Sequence, residues 1–153
     1  MDTATLSTFF AVLALVCLVS VVGVVLGAVA WRGGFRPPWL VSLADQVTGG
    51  ALWLAAAVAS VATAGSLYYS EVAGFVPCPL CWYQRIAMYP LALVLWIAAV
   101  RRDPGVRWYA GPLAAVGAAV AAYHTWVQAN PDSSTPFCTL ENPCGVRHVW
   151  EFG

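Results

Sequence analysis

The sequence predicts an all-α membrane protein, built as a four-helix transmembrane bundle with two cysteine-bearing segments outside the membrane. Hydrophobic residues make up 61% of the 153 residues and charged residues only 9%, whereas a soluble domain has about 25% charged residues. Four stretches are nearly free of charge and long enough to cross a hydrocarbon core, which takes about 20 helical residues. Two of these stretches each have a cysteine pair beside them. We therefore expect a single membrane domain.

The spans follow from the charge-free stretches. Their predicted limits are about 8–31, 51–70, 82–100 and 108–128, with an outer redox loop over 129–153. The first stretch also carries a signal-peptidase pattern, Ala28-Val29-Ala30, but no basic residue precedes it and it exceeds the about 7–15 apolar residues of a signal peptide. We therefore expect it to be a retained span, joined to the second by a connector over 33–50.

Arginines predict the orientation. Arg32 and Arg36 lie in the first connection, and Arg101, Arg102 and Arg107 lie in the second, on the same side of the bundle. The positive-inside rule makes this side cytoplasmic. Both termini and both cysteine pairs are then extracytoplasmic, where disulfides persist. The scattered arginines and the zero net charge do not resemble a nucleic-acid footprint, so no nucleic-acid partner is expected.

The first cysteine pair, Cys78 and Cys81, precedes the third span. Pro77 and Pro79 should keep the backbone around Cys78 extended, so that the helix begins near Cys81. A helix N-terminus together with Arg85, four residues later, should stabilise a thiolate at Cys81. An arginine at this depth also needs a polar partner, unless it extends to the lipid headgroups.

The second pair, Cys138 and Cys144, lies in a polar segment rich in turn-forming residues. A disulfide that closes so short a ring, with Pro143 inside it, is expected to be strained, and strained exposed disulfides are the more oxidising ones. Such a pair is suited to accept electrons from a soluble protein. A passive structural disulfide is the alternative.

The string from Cys78 to Pro90, Cys-Pro-Leu-Cys-Trp-Tyr-Gln-Arg-Ile-Ala-Met-Tyr-Pro, resembles the active-site segment of the disulfide bond formation protein B family (DsbB and its Gram-positive BdbC-type relatives). The resemblance covers roughly residues 51–152. It implies a multi-pass protein of the bacterial inner membrane that reoxidises a DsbA-like thioredoxin-fold oxidoreductase. The electrons would pass to the membrane quinone pool, as ubiquinone or menaquinone.

The resemblance also implies roles for single residues. Cys78 and Cys81 match the quinone-proximal pair, with Cys81 as the thiolate that contacts the quinone ring, and Arg85 matches an arginine that supports quinone binding. His124 and Gln128 match positions near the quinone. The rise of about 1.5 Å per helical residue independently places His124 at about the depth of Cys81. A plain interhelical hydrogen bond is the alternative role for His124.

By the same resemblance, electrons pass from the partner to Cys138 and Cys144 and then to the first pair, with Cys138 facing the partner. Family members have a further helix after the second pair, whereas this chain has an extra span before the matched region. We hypothesise that residues 5–31 fill that place and pack through Gly23 and Gly27. A shortened five-span protein is the competing view. Cys17, in mid-span, is expected to be inert.

Two other functions fit parts of the pattern. An enzyme of the vitamin K epoxide reductase type also has two cysteine pairs in a helical bundle, but its quinone-proximal pair follows the other pair in sequence. A non-catalytic membrane module, stapled by disulfides or binding zinc through four cysteines, is the second alternative. An oxidising compartment and the neighbouring Arg85 argue against a tetrathiolate site, so no metal is expected.

Overall fold

The structure, a computed structural model, describes residues 3–34, 37–130, 138 and 144. It contains four long helices: α1 (Thr3–Arg32), α2 (Pro38–Leu67), α3 (Pro79–Arg101) and α4 (Arg107–Ala129). A π-helical segment, Tyr68–Val72, extends α2, and a 3₁₀ turn, Pro104–Val106, precedes α4. No strand occurs in these described ranges. The protein is therefore all-α, as predicted.

Within the described part of the chain, three helical stretches are long and apolar enough to cross a membrane: Ala4–Arg32, Val41–Val72 and Pro79–Arg101. The fourth predicted span is also helical, as the 23-residue α4, but it is not one of these three. This helix carries polar residues near both ends, including Arg107 and His124. The four-span arrangement therefore stays a prediction.

The predicted connector over 33–50 is wrong. α2 begins at Pro38 and continues through Gly49 and Gly50, so that only residues 33–37 separate it from α1. Proline suits the first turn of a helix because its missing N–H would have no helical partner there. Each glycine costs a helix about 1 kcal/mol relative to alanine, which a helix of 30 residues tolerates.

The chain divides into two compact units. The first contains α1 and the beginning of α2, up to Ala51. In α1, Gly23 is exposed, and a Cβ placed on it would meet no other atom within 4 Å. The helix contacts predicted for Gly23 and Gly27 stay a prediction. The idea that α1 replaces a family helix stays a prediction.

The second unit, Leu52–His148, contains the rest of α2 together with α3 and α4. Small side chains let its helices approach one another: a Cβ on Gly117 of α4 would lie 3.2 Å from the Cβ of Ala87 on α3. Trp96 of α3 donates a hydrogen bond to Ser60 Oγ of α2 at 2.7 Å. The buried apolar core consists of Ala56, Ala59, Ala92, Leu95, Ala98, Val106 and Ala110.

A tight connection folds α4 back against α3. Arg102 ends α3 in the left-handed conformation, with φ of 52°, and its N–H bonds the carbonyls of Ala98 and Ala99. Asp103 then accepts hydrogen bonds from the Gly105 N–H at 2.8 Å and the Tyr109 hydroxyl at 3.1 Å. Because this turn is short, the beginning of α3 lies beside the end of α4. The first cysteine pair and His124 meet there.

Candidate active site

Cys78 caps the N-terminus of α3. Its backbone is extended, with ψ of 165°, and its sulfur accepts a hydrogen bond from the Cys81 N–H at 3.3 Å. Pro79 occupies the first helical turn, where proline is favoured. The helix thus begins two residues earlier than the sequence suggested. The extended conformation predicted for Cys78 is present.

The two sulfur atoms of this pair, both free, lie 2.8 Å apart. The Cys81 thiol hydrogen bond, followed by the backbone N–H groups of Cys81 and Leu80, lowers the pKa of the Cys78 thiol from 9.0 to about 6, against the opposing effect of burial. The helix N-terminus therefore stabilises a thiolate at Cys78. The prediction that Cys81 is the thiolate facing the quinone ring stays a prediction.

His124 of α4 lies against Cys78. Its Nε2 is 3.7 Å from Cys78 Sγ and 3.2 Å from the carbonyl oxygen of Cys144. Its Nδ1 is 3.3 Å from the amide nitrogen of Gln84 on α3. The ring is buried, with 9% of its surface exposed. Sequence reasoning did not select Gln84, although its position three residues after Cys81 puts both on one helix face.

Arg85 lies inside the protein, with 8% of its surface exposed. Its Nε and Nη2 donate hydrogen bonds to the hydroxyl and carbonyl oxygens of Ser66 on α2, at 3.0 and 2.9 Å. Its guanidinium lies 5.2 Å from the ring centre of Trp82. The expected polar partner therefore exists, and Ser66 supplies it. Extension of Arg85 to the lipid headgroups does not fit this burial.

The second pair forms a disulfide, with the Cα atoms of Cys138 and Cys144 5.6 Å apart. Cys144 has 1% of its surface exposed, and Cys138 is half-buried. The rest of the predicted loop from residue 131 lies outside the described residues. One apolar cluster contains both cysteine pairs: Cys78, Leu80, Val127 and Cys144 are buried in it, and Cys81, Tyr123 and Cys138 pack against it.

The ligand atoms of Cys78, Cys81 and His124 lie within 4.8 Å of one another, a spacing that a metal ion could bridge. Zinc bound by four thiolates does not fit the structure, however, because Cys138 and Cys144 are joined to each other. Cys78, Cys81 and His124 are thus the three candidate metal ligands at this site.

Quinone is the cofactor implied by the resemblance, and α3 offers polar groups that fit it. The Tyr89 hydroxyl is buried and has no hydrogen-bond partner among the described residues. Tyr89 lies one helical turn after Arg85, on the same face of α3. A buried hydroxyl without a partner is costly, so a ligand oxygen at this position would satisfy it. A carbonyl-bearing ring suits these donors. Gln128 is half-buried, one turn beyond His124 on α4.

A cavity of about 540 Å³ lies at the other end of α3 and contains no cysteine. Its lining residues are Ile97, Ala98, Arg101, Arg102, Asp103, Pro104 and Tyr109. At about 1.5 Å per residue, this end of the helix lies about 30 Å from Cys81. The cavity is therefore separate from the cysteine cluster.

Known proteins resemble this chain over the region that holds the site. The model of the family "Disulfide bond formation protein DsbB" matches residues 49–151. "Disulfide bond formation protein C" of Bacillus subtilis is 44% identical over 97 residues, which cover 63% of this chain and 70% of that protein. "Probable disulfide formation protein" of Deinococcus radiodurans is 48% identical over 99 residues, 65% of each chain. "Probable disulfide formation protein C 1" of Bacillus anthracis is 49% identical over 78 residues, 51% of this chain and 56% of that one. No solved structure matches.

Proposed function

This chain belongs to the DsbB family of disulfide bond formation proteins, and we propose that it is a quinone-dependent thiol oxidase of the bacterial inner membrane that reoxidises a DsbA-like thioredoxin-fold partner. The packing of the Cys138–Cys144 disulfide in one apolar cluster with Cys78 and Cys81 carries this proposal. Disulfide exchange requires direct contact between sulfur atoms. Membership of one cluster is the arrangement that such an exchange needs.

In the first step, a partner thiolate attacks one sulfur of the Cys138–Cys144 disulfide. A mixed disulfide forms as the loop disulfide breaks, and the partner's second thiol then displaces the loop sulfur. The partner leaves as a disulfide, and Cys138 and Cys144 become thiols. Two electrons and two protons have entered the protein.

In the second step, the loop thiols reduce a disulfide between Cys78 and Cys81 by the same exchange, and the loop disulfide forms again. The reduced first pair is stabilised by the hydrogen bonds that hold Cys78 as a thiolate. Stabilising the dithiol form raises the reduction potential of a pair. These contacts therefore favour electron flow from the loop to α3.

A bound quinone would supply an acceptor for two electrons and two protons. Arg85 and Tyr89 are the residues of α3 that would hold its oxygen atoms, and Ser66 keeps the guanidinium in place. Cys81, the less buried cysteine of the first pair, would face the ring. His124 and Gln128 would lie nearby on α4. The arginine distribution and the positive-inside rule support an extracytoplasmic position for both cysteine pairs.

The test is quinone reduction by purified protein supplied with a reduced thioredoxin-fold oxidoreductase. We expect one quinone reduced for each partner dithiol oxidised, followed by the quinone absorbance and by thiol titration. The Cys138→Ser/Cys144→Ser double variant is the control, since it keeps the first pair but lacks the entry point for electrons. Equal quinone reduction by the control, or none by the intact protein, would refute the proposal.

A further inference from the structure

His124 connects the two cysteine pairs. Its Nε2 faces both Cys78 Sγ, at 3.7 Å, and the backbone carbonyl of Cys144, at 3.2 Å. Its other nitrogen, Nδ1, faces the amide nitrogen of Gln84 at 3.3 Å. The resemblance assigns His124 to the surroundings of the quinone. These contacts place it between the first cysteine pair and the loop disulfide.

Two neighbours independently determine where the imidazole proton lies. A backbone carbonyl oxygen can only accept a hydrogen bond, so the contact with Cys144 requires a proton on Nε2. An amide nitrogen can only donate, so the contact with Gln84 requires a lone pair on Nδ1. Both contacts therefore select one form of His124: the neutral imidazole with its proton on Nε2.

This tautomer decides what the cluster can bind. With its proton on Nε2, His124 shares a single N–H between the Cys144 carbonyl, the nearer acceptor, and the Cys78 sulfur, and this nitrogen has no lone pair for a metal ion. Of the three candidate ligand atoms within 4.8 Å of one another, only the two sulfur atoms can then bind a metal ion. The arrangement suits stabilisation of a Cys78 thiolate, which accepts hydrogen bonds.

We propose that Gln84 is a positioning residue, which holds His124 as the Nε2–H tautomer and so maintains a hydrogen-bond donor between Cys78 and the backbone of Cys144. The inference rests on the proposed thiol oxidase function, because the donor matters when electrons move between the two pairs. Gln84 acts through His124 and need not touch the partner or the quinone.

The tautomer can be measured by NMR without turnover. The chain has two histidines, so His148→Gln leaves His124 as the one labelled imidazole in ¹⁵N-histidine protein. With the first pair reduced and the loop disulfide intact, we expect a protonated Nε2 and an unprotonated Nδ1. Gln84→Ala should mix the two tautomers. Gln84→Glu should protonate Nδ1, since a carboxylate accepts its hydrogen bond. Thr125→Ala, an exposed neighbour on α4, should change nothing.

Alkylation of Cys78 gives a second readout. At a fixed pH near 5, below the Cys78 pKa, the Gln84→Ala protein should alkylate Cys78 several-fold more slowly than the parent, as measured by peptide mapping, while Thr125→Ala should match the parent. An Nδ1–H tautomer in the parent protein, or unchanged tautomer and alkylation in Gln84→Ala, would overturn the proposal. Failure of quinone reduction with the expected tautomer present would instead count against the proposed function alone.

Discussion

The two cysteine pairs share one apolar cluster but differ in how the chain holds them. Cys78 and Cys81 are free thiols fixed at the start of a helix, where backbone N–H groups and His124 surround the Cys78 sulfur. Cys138 and Cys144 are six residues apart, outside the helices, and form a disulfide. The helix pair has surroundings that stabilise a thiolate. Among the described residues, the loop pair has only the contact between His124 and the Cys144 carbonyl.

This difference suggests a direction for electron transfer. A pair whose dithiol form is stabilised is the stronger oxidant and accepts electrons from its neighbour. The helix pair should therefore hold electrons until an acceptor removes them, and the loop pair should pass them on.

The largest effect should come from Cys81→Ser. Serine cannot form a disulfide, so the helix pair loses its oxidised form and quinone reduction should stop. The loop pair should still oxidise one equivalent of partner dithiol, seen as a single burst in thiol titration. Cys17→Ser removes a free cysteine outside the cluster and should retain full turnover. Quinone reduction at the parent rate by Cys81→Ser would contradict the assignment.

Trapping distinguishes the two sulfur atoms of the loop pair. Cys144 is almost fully buried and Cys138 is half-buried, so the partner should reach Cys138 first. Cys144→Ser mixed with the disulfide form of the partner should then accumulate a covalent complex: the Cys138 thiolate attacks the partner disulfide, one partner thiol is released, and Cys144 is absent and cannot displace the partner. A non-reducing gel shows the complex.

Cys138→Ser is the matched control and should give no complex. A complex formed through Cys144 alone would reverse the two roles without changing the function. If neither variant trapped the partner, a soluble thiol substrate would be ruled out.

Arg85→Ala tests the quinone side of the helix pair. A lost charge-assisted hydrogen bond of about 1.5–3 kcal/mol corresponds to an increase of about tenfold or more in the apparent quinone KM. The KM for the partner should hardly change. Ser66→Ala should raise the quinone KM less, because it removes one of two contacts to the guanidinium. Arg101→Ala, at the opposite end of α3, is the control. An unchanged quinone KM in Arg85→Ala would show that Arg85 does not contribute to quinone binding.

The smallest effect concerns the pH dependence of Cys78. With a folded-state pKa of about 6 against an ordinary value of 9.0, alkylation of Cys78 should increase through about pH 6, since the thiolate reacts. Between pH 6 and pH 9 the folded state therefore binds fewer protons at Cys78 than the unfolded state does. The contribution of Cys78 to the free energy of unfolding is full above pH 9 and is lost as the pH falls towards 6. His124→Ala should raise the midpoint. A midpoint near 9 in the parent protein would contradict this account.

Local rules predicted part of this site. Two prolines predicted the extended Cys78, and helix rise predicted that His124 and Cys81 lie at similar depth. Ser66 and Gln84 were not found, because their partners are 19 and 40 residues away in sequence. Where nearly every residue of a helix is apolar, periodicity does not show which face meets which neighbour. The same uniformity hid the start of α2, since Gly49 and Gly50 resemble a turn in sequence.

The direction of electron flow between the pairs can be measured directly. Fully oxidised, quinone-free protein is given one equivalent of reduced partner, quenched in acid and alkylated, and each cysteine is quantified by mass spectrometry, with Cys17 as the internal free-thiol standard. The account predicts alkylation of Cys78 and Cys81 with the Cys138–Cys144 disulfide intact. Alkylation of Cys138 and Cys144, with a disulfide remaining between Cys78 and Cys81, would contradict it.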